Sequence, residues 1–229
     1  MKLPYAIGVG LLVSHCLSLG QTMNAPPAKA FPRFTVRKGQ VDQDGFPISG
    51  AKLCLADKKS ICYQMPSHTA EGSGRVTYEF GLEPHAEILP LTNEGSWVFF
   101  SAEFSAGGSG TLTRLAILRY QNGEGKGDHL IDLLPYISVT NVSEHAIWTI
   151  PNVSPYPVLV DAEFIWGNRE THFARHYYVV EAWRFDTATG RYRKVVSYRT
   201  SKKYEGGDSG PISVLGLERV EILRRLSTR

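Results

Sequence analysis

From Phe34 onward the chain is built of short runs rich in Val, Tyr, Phe and Thr, each cut off by Gly, Asn, Asp or Pro. β-Branched and aromatic side chains suit a pleated surface, and the breakers supply the backbone conformations of tight turns. This texture excludes long helices, which need apolar residues recurring at the 3.6-residue period without interruption. The runs at 76–80, 97–104, 112–120, 158–166, 176–185 and 191–200 are the clearest strands, with turns at 107–110, 121–128 and 186–190. Helical spacing is convincing only at the end. There Leu217, Val220, Leu223 and Leu226 recur every three residues behind Asp208-Ser209-Gly210-Pro211, a helix-capping type of sequence. The expected fold is all-β: an antiparallel β-sandwich or a partial propeller-like repeat, with a short C-terminal helix in 206–229.

The first residues follow different rules. Met1-Lys2 gives a positive start, 5–13 with Leu17 and Leu19 gives a short apolar run, and Ser18-Leu19-Gly20 places small residues where a signal peptidase reads. The run is shorter than the roughly 20 apolar residues that span a bilayer. Residues 1–20 therefore read as a signal peptide and 21–33, rich in Pro and Ala, as a flexible linker. A secreted or periplasmic protein is expected, with no membrane span after cleavage. Loss of Cys16 with the leader would leave Cys54 and Cys62, which flank the polar turn Asp57-Lys58-Lys59-Ser60. A β-hairpin there sets the two thiols opposite each other, so a disulfide is expected in an oxidising compartment.

The 229-residue chain, 42% hydrophobic and 11% aromatic, is long enough to bury a real core. Its formal charge of only +3, with no dense Lys/Arg run, speaks against a nucleic-acid partner. Residues 34–92 read as an N-terminal β module and 93–205 as a β-rich region carrying a candidate internal duplication. Ala102-Glu103-Phe104 recurs as Ala162-Glu163-Phe164, Gly107 and Gly167 follow at the same offset, and long strands end at Arg119-Tyr120 and Arg184-Phe185.

Two resemblances rest on longer stretches. Gly39-Gln40-Val41, 45–53 (Gly-Phe-Pro-Ile-Ser-Gly-Ala-Lys-Leu), Gly74-Arg75-Val76 and Phe80-Gly81-Leu82-Glu83-Pro84 resemble the carboxypeptidase regulatory-like, prealbumin-type β-sandwich. Gly107-Gly108-Ser109-Gly110, Leu133-Leu134-Pro135, Ser143-Glu144, Glu170-Thr171-His172-Phe173 and Thr200-Ser201-Lys202-Lys203-Tyr204 resemble a group of exported bacterial proteins with no assigned activity. The second resemblance implies export and supplies no mechanism.

Candidate chemistry is sparse. Glu170, His172 and His176 share one face of a strand at spacing i, i+2, i+6, and two histidines with a carboxylate can bind zinc or relay a proton. The helical metalloprotease pattern places Glu directly after its first His, and here Phe173 stands there. Gly207-Asp208-Ser209-Gly210-Pro211 resembles the nucleophile loop of chymotrypsin-like proteases but lacks one of its glycines, and no histidine stands in the expected context. It reads as a turn that caps the last helix. Asp42-Gln43-Asp44-Gly45 lacks the further carboxylates of a calcium loop and reads as a hairpin turn. Aromatic residues from Trp166 to Tyr204, interleaved with Arg169, Arg175, Arg184 and Arg191, fit either a carbohydrate- or peptide-binding face or a ladder of rings stacked across paired strands.

No catalytic residue, metal or cofactor is assigned. The candidate binding set is Trp166, Arg169, Glu170, His172 and His176. The expected function is an exported, non-catalytic binding or structural module for a protein or carbohydrate of the cell envelope, with a hydrolase built on the Glu/His cluster as the alternative. Export makes a direct prediction: N-terminal sequencing of the protein recovered outside the cytoplasm should start at or near Gln21, and an intact Met1 there would refute the leader.

Overall fold

The structure, a computed structural model, describes residues 30–71, 75–91, 95–105, 110–123, 127–171, 174–205 and 213–228. The leader, most of the linker, Gly107-Gly108-Ser109, His172, Phe173 and 207–211 lie outside the described residues. The fold is all-β and sandwich-like, with two short C-terminal helices.

Three antiparallel assemblies follow one another along the chain. The N-terminal one joins β1 (Phe34–Arg37), β2 (Lys52–Leu55) and β3 (Cys62–Gln64) into a small sheet, with the ribbon β4 (His68–Glu71) and β5 (Arg75–Tyr78) beside it. The second contains β6 (Leu82–Leu91), β7 (Gly95–Ser105), β8 (Thr111–Gln121), β9 (His129–Asp132) and β10 (Ile137–Thr140), ordered β10-β8-β7-β6 with β9 also on β8. The third contains β11 (Glu144–Trp148), β12 (Val158–Ile165), β13 (Arg175–Asp186), β14 (Arg191–Arg199) and β15 (Tyr204–Glu205), ordered β11-β12-β13-β14 with β15 also on β13.

Sheets two and three share a meander plan down to an interrupted last strand. β9 pairs with Leu118–Gln121 at one end of β8 and β10 with Leu112–Leu115 at the other, while β14 and β15 divide β13 in the same way. At the first interruption the chain turns aside, and the Leu133 carbonyl accepts the Tyr192 N–H of β14 at 2.8 Å, tying sheet to sheet. The two Ala-Glu-Phe segments occupy β7 and β12. Phe100, Ala102, Val160, Ala162 and Phe164 are all buried on one alternation of their strands.

The layers stack face to face, as in a sandwich and not as blades around an axis. Val98, Phe100, Ala102, Ala116 and Leu118 meet Leu53, Leu55, Met65 and Phe80 of the N-terminal module. On the other face Trp97, Phe99, Leu115, Ile117 and Ile137 meet Leu159, Phe185 and Tyr192 of the third sheet. The far face of that sheet, with Val160, Ala162, Tyr178 and Val180, is covered by Val214, Leu215, Ile222 and Leu226.

The six expected strands all form, with shifts of a residue or two at most of their ends. β6 was not expected, because Pro84 and Pro90 lie inside it. It is the edge of its sheet, where a missing N–H costs no ladder bond, and its register shifts between Leu82 and His85 around Pro84. Of the expected flexible linker, residues 30–33 are anchored: Phe31 is buried, and its N–H donates to Ser96 Oγ at 2.5 Å. Asp42–Gly45 forms the expected hairpin turn. Asp42 Oδ1 accepts the N–H groups of Asp44 and Phe46, and Gly45 supplies a φ of 87°.

The C-terminal helix is two pieces, α1 (Val214–Leu217) and α2 (Arg219–Ser227), and its buried face differs from the expected one. Leu217 and Val220 are 60% and 82% exposed, while Leu215, Glu218, Ile222 and Leu226 face the sheet. A three-residue step drifts around a helix of 3.6 residues per turn, whereas the four-residue row 218, 222, 226 follows one packing ridge. Two carboxylates fix the helices to the sheet. Glu144 Oε2 accepts the Leu215 N–H at 2.9 Å, and buried Glu218 accepts the hydroxyls of Tyr198 (2.9 Å) and Tyr204.

Cys54 and Cys62 are directly paired across β2 and β3, with Cα atoms 4.0 Å apart and sulfurs at bonding distance. The loop they close is short, with a sequence separation of 8. Loop-entropy scaling then gives a stabilisation of about 2–3 kcal/mol. Cys62→Ser should lower the denaturation free energy of the oxidised protein by that amount; an unchanged midpoint and slope in urea would show that the bond contributes nothing.

Candidate functional site

A mainly apolar cavity opens where β7 and β12 end and β8 begins. It holds about 440 Å³ and is lined by Tyr78, Phe104, Leu112, Val142, Phe164 and Trp166. The lining comes from all three assemblies, since Tyr78 ends β5, Phe104 and Leu112 face each other across β7 and β8, and Phe164 and Trp166 end β12. Thr111, Thr140, Asn141 and Glu163 form its polar rim. Glu163 is held in place by Thr140, whose Oγ1 donates to Oε1 at 2.7 Å and whose N–H donates to Oε2 at 3.2 Å. Trp166 stands at the mouth, 52% exposed, with its ring 4.8 Å from Phe164. A mainly apolar concavity with a few fixed polar groups is the usual form of a ligand seat.

Behind Trp166 lies the polar cluster singled out from the sequence. Glu170 does not sit in a strand; it closes a turn with Gly167 just before β13, and only His176 belongs to the strand. The turn nonetheless brings Glu170 Oε2 within 3.0 Å of His176 Nδ1. The same oxygen accepts the Gly167 N–H at 2.8 Å, and Oε1 accepts Lys203 Nζ at 2.5 Å. A Cβ at position 167 would fall 2.4 Å from the Glu170 carboxyl carbon, so a larger residue here would displace that carboxylate from the turn. Arg169 is exposed with a φ of 65° and serves the turn through its backbone.

These contacts decide what the cluster can do. The Lys203 ammonium, then the Gly167 N–H and the His176 ring, hold the Glu170 carboxyl well below its ordinary range, at about 2. A carboxylate so firmly ionised is a poor proton carrier near neutral pH. His176 is 1% exposed, with its second nitrogen 3.0 Å from the Thr171 carbonyl, so both ring nitrogens face protein groups and not solvent. Its ring lies 4.7 Å from Phe164 and 5.6 Å from Trp166. Glu170 and His176 thus buttress the aromatic wall. Among the described residues no group of three His, Cys, Asp or Glu side chains can hold a metal ion.

The rest of the aromatic series is mostly core. Tyr178, Tyr192 and Tyr204 are buried, and Tyr177 is covered by the Arg199 guanidinium at 4.0 Å from its ring centre. Comparisons of the chain with family models, curated proteins and solved structures find no match.

Asp161, buried on β12, was missed by the sequence reading, because one Asp inside an apolar run, 158–164, carries no spacing signal. Trp183 Nε1–H donates to its Oδ1 at 2.9 Å. Burial first, then the nearby Glu181 and Glu163 charges, push its carboxyl up to about 7 despite that bond. The folded state therefore keeps a proton that the unfolded chain, with an ordinary value of 3.8, has already lost. Asp161 makes stability fall as pH rises between these two values, with a limiting slope of about 1.4 kcal/mol per pH unit, and level off above the upper one. Asp161→Asn should remove that part of the slope in denaturation series between pH ~4 and ~7. A variant whose stability follows the parent's pH dependence would show that Asp161 titrates normally.

Proposed function

We propose that the chain is an exported, non-catalytic binding module whose ligand seat is the aromatic cleft at Trp166. The observation that carries this reading is the pairing of a 440 Å³ aromatic cleft with a neighbouring acid–histidine pair that is internally engaged. Side chains from all three assemblies build the cleft, so it exists only in the complete fold, whereas a general acid or base needs a free lone pair or proton within reach of a substrate.

Secretion or periplasmic release fits the leader-like first 20 residues and the Cys54–Cys62 pair, and the resemblance to exported bacterial proteins supports it. No helix among the described residues is long and apolar enough to cross a membrane. The partner is a protein or carbohydrate of the cell envelope. Aromatic faces ringed by threonine hydroxyls, an asparagine amide and a carboxylate suit either a sugar ring or an apolar peptide side chain.

The test is a panel of envelope polysaccharides and peptides screened by calorimetry against the parent and Trp166→Ala. A half-exposed ring is removed at little cost to folding, so the variant should keep its melting temperature and lose about tenfold or more in affinity for whichever ligand the parent binds. Equal affinities in parent and variant would exclude the cleft. Hydrolysis of any panel member that is lost in His176→Gln would favour the hydrolase instead.

A further inference from the structure

One end of the third sheet gathers cations. Arg175 begins β13, Arg199 ends β14, and Lys202 and Lys203 lie in the short link from β14 to β15. The strand pairing brings them together, because Arg199 is opposite Val179 of β13 and Glu205 of β15 is opposite Arg175. Ring contacts hold the side chains in place. The Arg199 guanidinium lies 4.0 Å and the Lys203 ammonium 5.4 Å from the centre of the Tyr177 ring. The Lys202 ammonium lies 5.1 Å from the centre of the Tyr204 ring, and Arg175 Nη2 donates to the Lys203 carbonyl at 3.0 Å.

Carboxylates do not balance this charge. Elsewhere on the sheet Arg193 and Lys194 are paired with Asp186 and Glu181. At this end Lys203 has Glu170, while Arg175, Arg199 and Lys202 are exposed and make no ion pair among the described residues. The helix carboxylates are engaged by other groups, Glu218 by the Tyr198 and Tyr204 hydroxyls and Glu221 by Arg224 and Arg225. Cations held this close repel one another, and an arriving anion relieves the repulsion.

Aliphatic groups meet the same spot. A hollow of about 210 Å³ is lined by Arg175, Lys202, Lys203, Tyr204, Glu205 and Leu217. Leu217, 60% exposed, and Val220, 82% exposed, are the two most exposed large apolar side chains among the described residues. Their spacing fits a core face, yet the fold leaves both outside.

We propose that this end of the sheet docks on a membrane surface rich in anionic lipid. Phosphate headgroups meet Arg175, Arg199 and Lys202, and Leu217 and Val220 enter the boundary of the acyl chains. The aliphatic pair decides between polyanions. An acidic polysaccharide or a nucleic acid gives Leu217 and Val220 nothing apolar to enter, and the rings of the patch, Tyr177 and Tyr204, are covered or buried. The surface shares no lining residue with the Trp166 cleft, so the proposal stands independently of the ligand bound there.

The experiment is co-sedimentation of the full chain with vesicles of phosphatidylcholine, alone or mixed with an equal part of phosphatidylglycerol. Binding to the mixed vesicles is expected at ~50 mM salt, about tenfold weaker at ~500 mM, with none to phosphatidylcholine alone. Arg199→Gln with Lys202→Gln removes two exposed charges, each worth about fivefold at an anionic surface, so this variant should bind about twentyfold more weakly. Leu217→Ser with Val220→Ser should weaken binding about tenfold and leave its salt dependence unchanged. Both pairs replace exposed side chains, so melting temperatures should stay at the parent value. No binding to the mixed vesicles, equal binding to both kinds, or undiminished binding by the Arg199→Gln, Lys202→Gln variant would each overturn the proposal. So would binding to dextran sulfate as tight as to the mixed vesicles and unimpaired by Leu217→Ser with Val220→Ser, which would assign the patch to an acidic polymer.

Discussion

A strand that carries large apolar side chains on both faces cannot rest at a surface. β7 presents Trp97 and Phe99 on one side and Val98, Phe100 and Ala102 on the other, and β8 continues both faces with Leu115, Ile117, Ala116 and Leu118. Burying each of the larger of these side chains is worth roughly 1.5–3 kcal/mol, so the second sheet must have a layer above it and a layer below it. The N-terminal module supplies one cover and the third sheet the other. The third sheet then has the same problem, which the C-terminal helices solve. The order of layers follows from this single demand.

The clefts arise where the stack is not fully closed. At the strand ends the layers separate, and rings that would otherwise be covered, Phe104, Phe164 and Trp166, line a gap. Three carboxylates serve as struts. Glu170 gathers Gly167, Lys203 and His176, Glu163 pins β10 to β12 through Thr140, and Glu218 draws the helix onto Tyr198 and Tyr204. Each strut is a charged acceptor meeting two or three donors, the condition under which a buried charge is tolerated. Arg114 is the exception. It is buried under the Tyr136 ring, with Asp132 4.0 Å away and two guanidinium nitrogens without a hydrogen-bond partner among the described residues.

The sequence made the long inner strands plain because they are buried on both faces and read as nearly continuous apolar runs. The Cys54–Cys62 pairing was legible too, since hairpin geometry alone sets those residues opposite each other. Hidden strands were hidden for definite reasons: β6 carries prolines, β9 and β10 are four-residue fragments of an interrupted strand, and β15 has two residues. At the site, Trp166, Glu170 and His176 could be named, but not their roles. Whether a carboxylate is free or clamped depends on Lys203, a residue 33 positions away. The setting of Asp161 was illegible for a similar reason, because it depends on β12–β13 register, which brings Asp161 opposite Glu181.

An open sheet edge offers a row of unpaired N–H and C=O groups to any extended chain that drifts past. The edges here are poor templates. β6 is broken by Pro84 and Pro90, the opposite edge of its sheet is split between β9 and β10, and the third sheet is split in the same way between β14 and β15. The other edge of the third sheet, β11, packs against α1, with Glu144 bonded to the Leu215 N–H. The interruptions that make these strands hard to recognise in the sequence also shorten the edges on which an aggregate could be seeded.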